Sequence, residues 1–194
     1  MLSIVTQSEL LELCEQRGAY LRGHFRLTSG LHSPEYLQCA LLLSDPRVAE
    51  WLGATLADRC PGLPVDFVAA PALGGLIIGH EVARALRCRF LFTERDRDGS
   101  MALRRGFQVQ PGERGVVIED VVTTGGSTVE TIAVLREAGA QIVGAGSIFD
   151  RSGGKVDVGA PRVALATLEV AAYQPESCPL CAAGQPLVKP GSRK

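Results

Sequence analysis

The chain has 194 residues, 46% of them hydrophobic and 21% charged, with a formal net charge of −1. This length suits one well-buried domain with a small appendage and excludes two full domains. The near-neutral charge gives no indication of nucleic acid or an anionic membrane as an obligate partner. The sequence shows no signal-peptide pattern and no run of about 18 apolar residues, so we expect a cytoplasmic protein.

The amino-terminal segment predicts a helix, a pair of short strands and a second helix. Thr6-Gln7-Ser8-Glu9 is a capping-box pattern, so the first helix should run from about residue 7 to 17. The turn Thr28-Ser29-Gly30, within residues 24–43, indicates two short strands. Asp45-Pro46 then predicts a helix start.

From residue 65 to about residue 170, strand and helix patterns alternate. The predicted strands are 65–70, 89–92, 116–119, 142–149 and 162–170, and the predicted helices are 75–86 and 127–138. This order predicts an α/β fold with a mostly parallel, doubly wound sheet. Its ligand site should lie beyond the carboxyl ends of the strands, where the loops 71–75, 93–106 and 123–127 meet.

The most informative segment runs from Val117 to Thr128, where a buried strand ends in Glu119 and Asp120. A loop of hydroxyl and glycine residues follows, immediately before a helical pattern. Glycines let backbone N–H groups approach an oxyanion, and the first turn of a helix leaves several N–H groups unpaired. Because the loop lacks the lysine of a P-loop, the pattern favours a phosphate monoester over a nucleotide triphosphate.

Glu119 and Asp120 are neighbours on a strand, so we expect their side chains to diverge to opposite faces and not to form a close carboxyl pair. Beside a phosphate site, carboxylates suit sugar hydroxyls or a divalent cation held by a sugar phosphate. The alternative is a solvated acidic pair before a glycine-rich turn.

For each of the loops 71–75 and 93–106, a purely structural interpretation is also open. The loop that contains Ala72 and Gly74 can expose N–H groups to a second anion, but it can equally be an ordinary strand-to-helix turn. Residues 93–106 are charged and poor in apolar side chains, which suits either a mobile lid or a solvated surface hairpin.

The segment from Val117 to Thr128 closely resembles the 5-phosphoribosyl 1-diphosphate (PRPP) motif of the type I phosphoribosyltransferases. The resemblance implies that Glu119 and Asp120 bind the ribose 2- and 3-hydroxyls. It implies that the loop holds the 5-phosphate through Val121, Val122, Thr123, Thr124, Gly125, Gly126 and Ser127. It also implies that the loop with Ala72 and Gly74 binds pyrophosphate.

A second segment, from Gly23 to Tyr36 and called the hood segment below, narrows the resemblance to the orotate phosphoribosyltransferase family. The matching residues are Phe25, Leu27, Ser29, Gly30, Ser33 and Pro34. The resemblance covers about residues 5–170 and implies a single domain with a core of about 46–170. A small hood would comprise residues 1–45 together with the tail, residues 171–194. It further implies PRPP and orotate as substrates, Mg²⁺ held mainly by PRPP with no protein ligand assigned, and a homodimer.

The resemblance implies that orotate is bound by Thr123, Ser29 and Arg151, the last preceded by Asp150 at a strand end. The alternative for Arg151 is a structural pair with Asp150 or a nearby acid. Asp120 and Arg95 are the implied catalytic residues. Arg95 replaces a loop lysine of the family, and an arginine keeps the charge but cannot donate a proton near neutrality.

Departures from the family pattern leave two rivals open. Thr28 and Gly74 stand where many members have lysine, and the charged loop contains arginines but no lysine. One rival is a purine or other base phosphoribosyltransferase, against which the hood segment argues. The other is a regulatory protein that binds PRPP without catalysis.

The six cysteines lie in apolar surroundings, which predicts reduced thiols instead of a disulfide framework. Cys178 and Cys181 have the spacing of half a zinc site, but no second pair and no histidine close in sequence completes it. We expect an irregular tail without stoichiometric metal; the alternative is a zinc site shared with Cys39 or another chain. His24 and His32 lie near the two ends of the hood segment and are weaker candidates for lining the substrate site.

Overall fold

The structure, a computed structural model, describes residues 6–27, 29–60 and 64–190. Thr28, where many family members have lysine, therefore lies outside the described residues. The α-helices are Gln7–Gln16 (α1), Cys39–Leu43 (α2), Pro46–Arg59 (α3), Gly75–Leu86 (α4), Gly126–Glu137 (α5) and Pro179–Ala182 (α6). The strands are Tyr20–Arg26 (β1), His32–Leu37 (β2), Phe67–Pro71 (β3), Arg89–Arg95 (β4), Met101–Leu103 (β5), Arg114–Val122 (β6), Gln141–Asp150 (β7) and Arg162–Thr167 (β8).

Six strands form one sheet in the order β5-β4-β3-β6-β7-β8. All neighbouring pairs are parallel except β4 and β5, so the antiparallel strand lies at one edge. The predicted mostly parallel sheet is therefore confirmed. The strands β1 and β2 form a separate antiparallel hairpin, which confirms the pair of short strands expected near the amino terminus.

Successive residues of the central strands enter two different hydrophobic cores, as the alternation of side chains along a strand requires. Val68 and Ile118 belong to the core that includes residues of α1 to α4. Ala69 and Val117 belong to the second core, which α5 covers. The helices thus pack on both faces of the sheet, as predicted, although α5 lies alone on its face. No helix in the described part of the chain is long and apolar enough to cross a membrane.

The predicted starts of α1 and α3 are confirmed by the capping residues in the structure. Thr6 and Glu9 form the expected capping box before α1. Asp45 caps α3 by accepting a hydrogen bond from the Arg47 N–H at 3.0 Å, and Pro46 occupies the first turn. A hydrogen bond from the Arg17 side chain, together with that cap, lowers the pKa of Asp45 to about 2. This carboxylate therefore caps α3 and also joins it to the end of α1.

The charged stretch 93–106 forms a surface hairpin. β4 continues to Arg95 and pairs with β5 through Thr93 opposite Leu103 and Arg95 opposite Met101. Glu94 accepts two hydrogen bonds from the Arg105 guanidinium, at 2.9 and 3.0 Å, so part of the charge of this stretch is paired within it. The geometry matches the hairpin alternative, and the mobility of this segment stays a prediction.

The tail is not irregular, which corrects our expectation. It contains a 3-10 turn at Pro175–Ser177 and the short helix α6, and it pairs with the β1–β2 hairpin through backbone hydrogen bonds. This return places Cys178 and Cys181 against His24 and His32. No histidine lies close to the cysteine pair in sequence, but the fold brings His24 to Cys178 from 154 positions away.

Asp150, the last residue of β7, organises the loop that follows. Its carboxylate accepts hydrogen bonds from the Ser152 N–H at 2.8 Å, the Gly154 N–H at 3.0 Å and Arg162 Nη1 at 2.7 Å. Burial raises the pKa of Asp150, but the hydrogen bonds from Ser152 and Arg162 outweigh burial and hold that pKa below its ordinary value. The buried carboxylate therefore stabilises the fold in its ionised form.

We expect Asp150→Asn to lower the free energy of unfolding by about 2–4 kcal/mol at neutral pH, because Arg162 loses a buried ionic partner. The folded pKa lies below the unfolded one, so this contribution is present above the unfolded pKa and disappears as the pH falls through the folded pKa. Urea unfolding at neutral and acidic pH measures the difference. The control Asp157→Asn, at an exposed site, should change stability by about 0.5 kcal/mol or less. An equal loss for Asp150→Asn at both pH values would contradict the assignment.

Candidate active site

A cleft of about 780 Å³ lies at the carboxyl ends of β3, β4, β6 and β7, and parts of the β1–β2 hairpin and the tail complete its lining. Every residue that the family resemblance assigned to the site lines this cleft. They are Ser29, Ala72, Gly74, Arg95, Glu119, Asp120, Val121, Val122, Thr123, Thr124, Gly125, Gly126, Ser127 and Arg151. A second cavity, of about 620 Å³, lies between α1 and α3 and contains none of them.

The loop from Thr123 to Ser127 leads into the amino terminus of α5. Gly125 is the N-cap, adopts a left-handed conformation with φ of 75°, and offers no side chain to the first-turn N–H groups. A Cβ atom at this position would lie 2.6 Å from the Val156 Cγ1 atom, so glycine is also required for space. The uncapped helix terminus and the hydroxyls beside it make this end of the cleft suited to a phosphate.

The carboxyl groups of Glu119 and Asp120 converge, which corrects the expectation that they diverge. The Asp120 N–H donates to Glu119 Oε1 at 3.4 Å, and the Val121 N–H donates to Asp120 Oδ1 at 2.8 Å. Both carboxyl groups face the same loop, since a Cβ atom would lie 2.6 Å from Asp120 Oδ1 at Gly74 and 3.4 Å from Glu119 Oε1 at Gly75. The alternation of a strand fixes only the Cα–Cβ directions, and each of these two side chains turns back to the N–H of the residue that follows it. They therefore form one acidic group at the cleft.

Both carboxyl groups have raised pKa values. Burial raises the pKa of Glu119 well above its ordinary value, and the neighbouring charge of Asp120 raises it further. Burial also raises the pKa of Asp120, against an opposing effect of the Val121 N–H. The pair thus retains a proton more readily than two solvated carboxyl groups, and a ligand that offers hydroxyls or a cation would favour its ionised form.

The loop after β3 reaches the same acidic pair. The peptide bond between Ala72 and Leu73 is cis, and the Ala72 N–H donates to the Thr93 carbonyl at 2.7 Å. At Gly74 a Cβ atom would lie 2.6 Å from Asp120 Oδ1, so the missing side chain lets the loop backbone approach the carboxyl group. The two glycine-bearing loops therefore meet at Asp120.

Arg95 reaches the cleft from the end of β4. Its guanidinium pairs with Glu130 of α5 and donates to the Gly99 carbonyl at 2.9 Å. Arg104 and Arg105 pair with acidic residues of the hairpin itself. Arg95 is therefore the loop arginine whose charge lies at the cleft, and a bound anion must compete with Glu130 for it.

Arg151 is buried beside the β1–β2 hairpin. Its Nη2 atom donates to Ser33 Oγ at 2.9 Å and to the Glu35 carbonyl at 3.1 Å, while its buried Nε atom has no partner among the described residues. Asp150 pairs with Arg162 instead, so the expected alternative of a pair with Asp150 is not found. Burial lowers the pKa of Arg151, and the nearby Glu35 opposes that effect. A buried guanidinium of this kind suits an anionic ligand.

The sequence left several lining residues unassigned, among them Arg26, Tyr36 and Lys189. Arg26 and Tyr36 lie within the hood segment, so the matching residues beside them could have indicated that they line the site. Lys189 is one of only three lysines in the chain, but it reaches the cleft through the return of the tail, which no local pattern shows. His24 and His32, the weaker candidates, do not line the cleft.

Comparison with known proteins agrees with this geometry. Residues 47–179 match the profile of the phosphoribosyl transferase domain family. The orotate phosphoribosyltransferase of Pelotomaculum thermopropionicum is 52% identical over 190 residues, which cover 98% of this chain and 100% of the relative.

Two solved structures share the fold. That of orotate phosphoribosyltransferase from Aeropyrum pernix gives a TM-score of 0.66 at 30% identity and covers 82% of this chain and 94% of its own. The Mycobacterium tuberculosis orotate phosphoribosyltransferase in complex with PRPP gives 0.63 at 21% identity and covers 84% and 96%. The profile, the identity over nearly the whole chain and the cleft together show that this chain belongs to the orotate phosphoribosyltransferase family.

Proposed function

We propose that this protein transfers the 5-phosphoribosyl group from PRPP to orotate, giving orotidine 5-phosphate and pyrophosphate in pyrimidine synthesis. One observation carries the proposal: a single cleft brings together a helix terminus without a side-chain cap, the buried Glu119 beside the half-buried Asp120, and the buried Arg151, which makes no salt bridge within the described residues. These groups complement a phosphate, a ribose and an anionic base in that order. The names of its relatives support the same reaction.

In the proposed complex, the loop from Val121 to Ser127 holds the 5-phosphate, and Glu119 and Asp120 bind the ribose hydroxyls. The loop with Ala72 and Gly74, together with Arg95, binds pyrophosphate. A ring nitrogen of orotate attacks the anomeric carbon of PRPP. The bond from that carbon to pyrophosphate breaks, and pyrophosphate leaves with the electron pair. The protein's part is to position both substrates, stabilise the developing negative charge and exclude water. Arg95 serves as an electrostatic contact and not as a proton donor.

Orotate is assigned to the end of the cleft near Arg151, with Thr123 and Ser29 as further contacts. The guanidinium is desolvated and has a buried Nε atom without a partner, so a carboxylate or carbonyl edge would satisfy it. Neutral pyrimidines lack the carboxylate and should be poor substrates.

We also propose that Mg²⁺ enters the site with PRPP. The donors fit this ion, since the carboxyl oxygens of Glu119 and Asp120 are the hard ligands that it prefers. When bound, Mg²⁺ neutralises part of the pyrophosphate charge. The protein side chains hold the substrate that carries the ion.

Three further assignments belong to the proposal. The whole chain forms one phosphoribosyltransferase domain, supported by the pairing of the tail with the hood. It assembles as a homodimer, as the family resemblance implies, and light scattering after gel filtration tests this. It works in the cytoplasm, for which six free cysteines are the supporting observation.

The loss of orotate ultraviolet absorbance on mixing with PRPP and Mg²⁺ tests the reaction itself. Turnover of orotate supports the proposal. Turnover of a purine with no use of orotate would establish the first rival, and PRPP binding without turnover of any base would establish the regulatory one.

For the carboxyl pair, we expect Asp120→Asn, and more weakly Glu119→Gln, to lower PRPP affinity or turnover about tenfold to a hundredfold, because a charged hydrogen bond is worth about 1.5–3 kcal/mol. The same changes should raise the melting temperature at neutral pH. A carboxyl group whose pKa is raised by folding stabilises the protein most below its unfolded pKa and costs stability as the pH rises, so an amide relieves that cost.

Steady-state kinetics and thermal unfolding of the unmodified protein and both variants measure the two effects. Asp58→Asn, an exposed change on α3, is the matched control and should alter neither. Unchanged kinetics in both variants would refute the assignment of the pair, whatever their melting temperatures.

For the base, we expect Arg151→Ala to weaken orotate binding by about 1.5–3 kcal/mol, on the order of tenfold to a hundredfold, with PRPP affinity nearly unchanged. Separate Michaelis constants for orotate and PRPP provide the measurement. Arg47→Ala removes an exposed guanidinium that does not line the cleft and serves as the control. Equal loss of both affinities, or a loss of thermal stability alone, would mean that Arg151 does not bind the base.

For the hairpin, we expect residues 93–106 to exchange amide hydrogens rapidly without ligand and to gain protection when PRPP binds, because the segment is mostly exposed and Arg95 would turn to the pyrophosphate. Hydrogen exchange followed by mass spectrometry, with and without PRPP, gives the answer. β6, in the centre of the sheet, is the internal reference. Equal protection in the two states would leave the stretch a static surface hairpin.

A further inference from the structure

A second group of chemically distinctive side chains lies outside the substrate cleft. His24 and His32 from the β1–β2 hairpin meet Cys178 and Cys181 from the tail, and one ligand atom of each lies within 4.8 Å of the other three. Cys39, the partner considered from the sequence, is packed in the hydrophobic core instead. Two imidazoles and two thiols are a complete ligand set for a tetrahedral zinc ion.

The separations of these atoms fit such an ion. With ordinary zinc–ligand bond lengths, a tetrahedral site separates two nitrogens by about 3.4 Å and a nitrogen from a sulfur by about 3.6 Å. In the structure, His24 Nε2 lies 3.1 Å from His32 Nδ1. Cys178 Sγ lies 3.5 Å from His24 Nε2, and Cys181 Sγ lies 3.8 Å from that atom and 3.3 Å from His32 Nδ1. Four of the six separations therefore agree with tetrahedral zinc, and the other two, between Cys178 and Cys181 and between Cys178 and His32, are no more than 4.8 Å.

The outer contact of His24 is a second, independent observation. Its Nδ1 atom lies 2.9 Å from the carbonyl oxygen of Gln185. A carbonyl can only accept, so Nδ1 carries the hydrogen and Nε2 presents its lone pair to Cys178 and Cys181. Metal-binding histidines characteristically donate their other ring N–H in this way, which fixes the ring and its tautomer.

The tail needs such an anchor because apolar burial does not hold it. Of residues 171–190, only Cys178 is buried, while Leu187 and Val188 are 45% and 50% exposed. α6 has four residues, too few to be stable by itself. Backbone pairs of His32 with Tyr173 and of Phe25 with Val188 flank the cluster on either side. A bound ion would supply the stabilisation that this segment lacks.

We propose that His24, His32, Cys178 and Cys181 bind one structural Zn²⁺ per chain, which fastens the tail to the β1–β2 hairpin. All four positions around the ion are taken by protein side chains, so it has no open position for catalysis. The tail leads from the cluster to Lys189 and Pro190, which line the cleft. The ion therefore fixes the part of the tail that completes the substrate site. This proposal departs from our expectation that the tail binds no stoichiometric metal.

Metal analysis of the full chain, purified without chelator, tests the proposal directly. We expect about one Zn²⁺ per chain. Cys181→Ser removes an exposed ligand and should weaken zinc binding at least about a hundredfold, measured in competition with a chromogenic chelator. Cys88→Ser and His80→Gln remove a thiol and an imidazole outside the cluster and should keep the full zinc content.

Replacement by Co²⁺ gives a readout that needs no variant. We expect the visible absorption of tetrahedral cobalt, together with near-ultraviolet bands from bound thiolates. Chelation should also increase hydrogen exchange in residues 171–190, and it should have no such effect in Cys181→Ser. None of these measurements requires turnover, so their outcome is distinct from that of the orotate assay.

Three results would overturn the proposal. The first is unmodified protein that lacks zinc as purified and fails to take it up on titration. The second is undiminished zinc in Cys181→Ser, and the third is cobalt spectra without thiolate bands.

Discussion

The buried guanidinium of Arg151 holds the β1–β2 hairpin against the end of the central sheet, and the shape of the cleft depends on that contact. Its Nη2 atom donates to the Ser33 hydroxyl and the Glu35 carbonyl of the hairpin, while the backbone N–H of Arg151 donates to the Val122 carbonyl at 2.8 Å. Asp150, immediately before it, pairs with Arg162 and not with Arg151. The Asp150 carboxylate therefore stabilises the loop, and the Arg151 guanidinium lies at the cleft.

The cleft contains two arrangements that cost stability in the absence of ligand. Glu119 is buried and Asp120 half-buried, both with raised pKa values, and the buried Arg151 has a lowered pKa. Neither is explained by the packing of the core, because apolar side chains of the same volume would be more stable there. Strongly perturbed ionisable groups of both signs within one cleft are typical of a functional site, where a substrate supplies the missing partners.

The sequence was most informative where the signal is local. The capping box at Thr6 and the alternating pattern of α4 and the sheet depend on residues close in the chain, and the bounds Gly75–Leu86 were predicted without error. The glycine and hydroxyl loop was likewise recognisable, because its chemistry is contiguous. The convergence of Glu119 and Asp120 was missed because periodicity fixes where a side chain begins, whereas flexible torsions decide where its end lies.

The contacts of the tail lay beyond sequence reasoning for a different reason. They join residues about 150 positions apart, and the tail itself carries almost no apolar pattern that would indicate a packed segment. Ser33 shows why these contacts matter for the site: its hydroxyl donates to the Ala171 carbonyl at 3.1 Å and accepts from Arg151. The first residue of the tail and the arginine at the cleft therefore share one hydroxyl group. An anchor that holds the tail to the hairpin acts on the cleft from both sides, through Ser33 at one end of the tail and through Lys189 at the other.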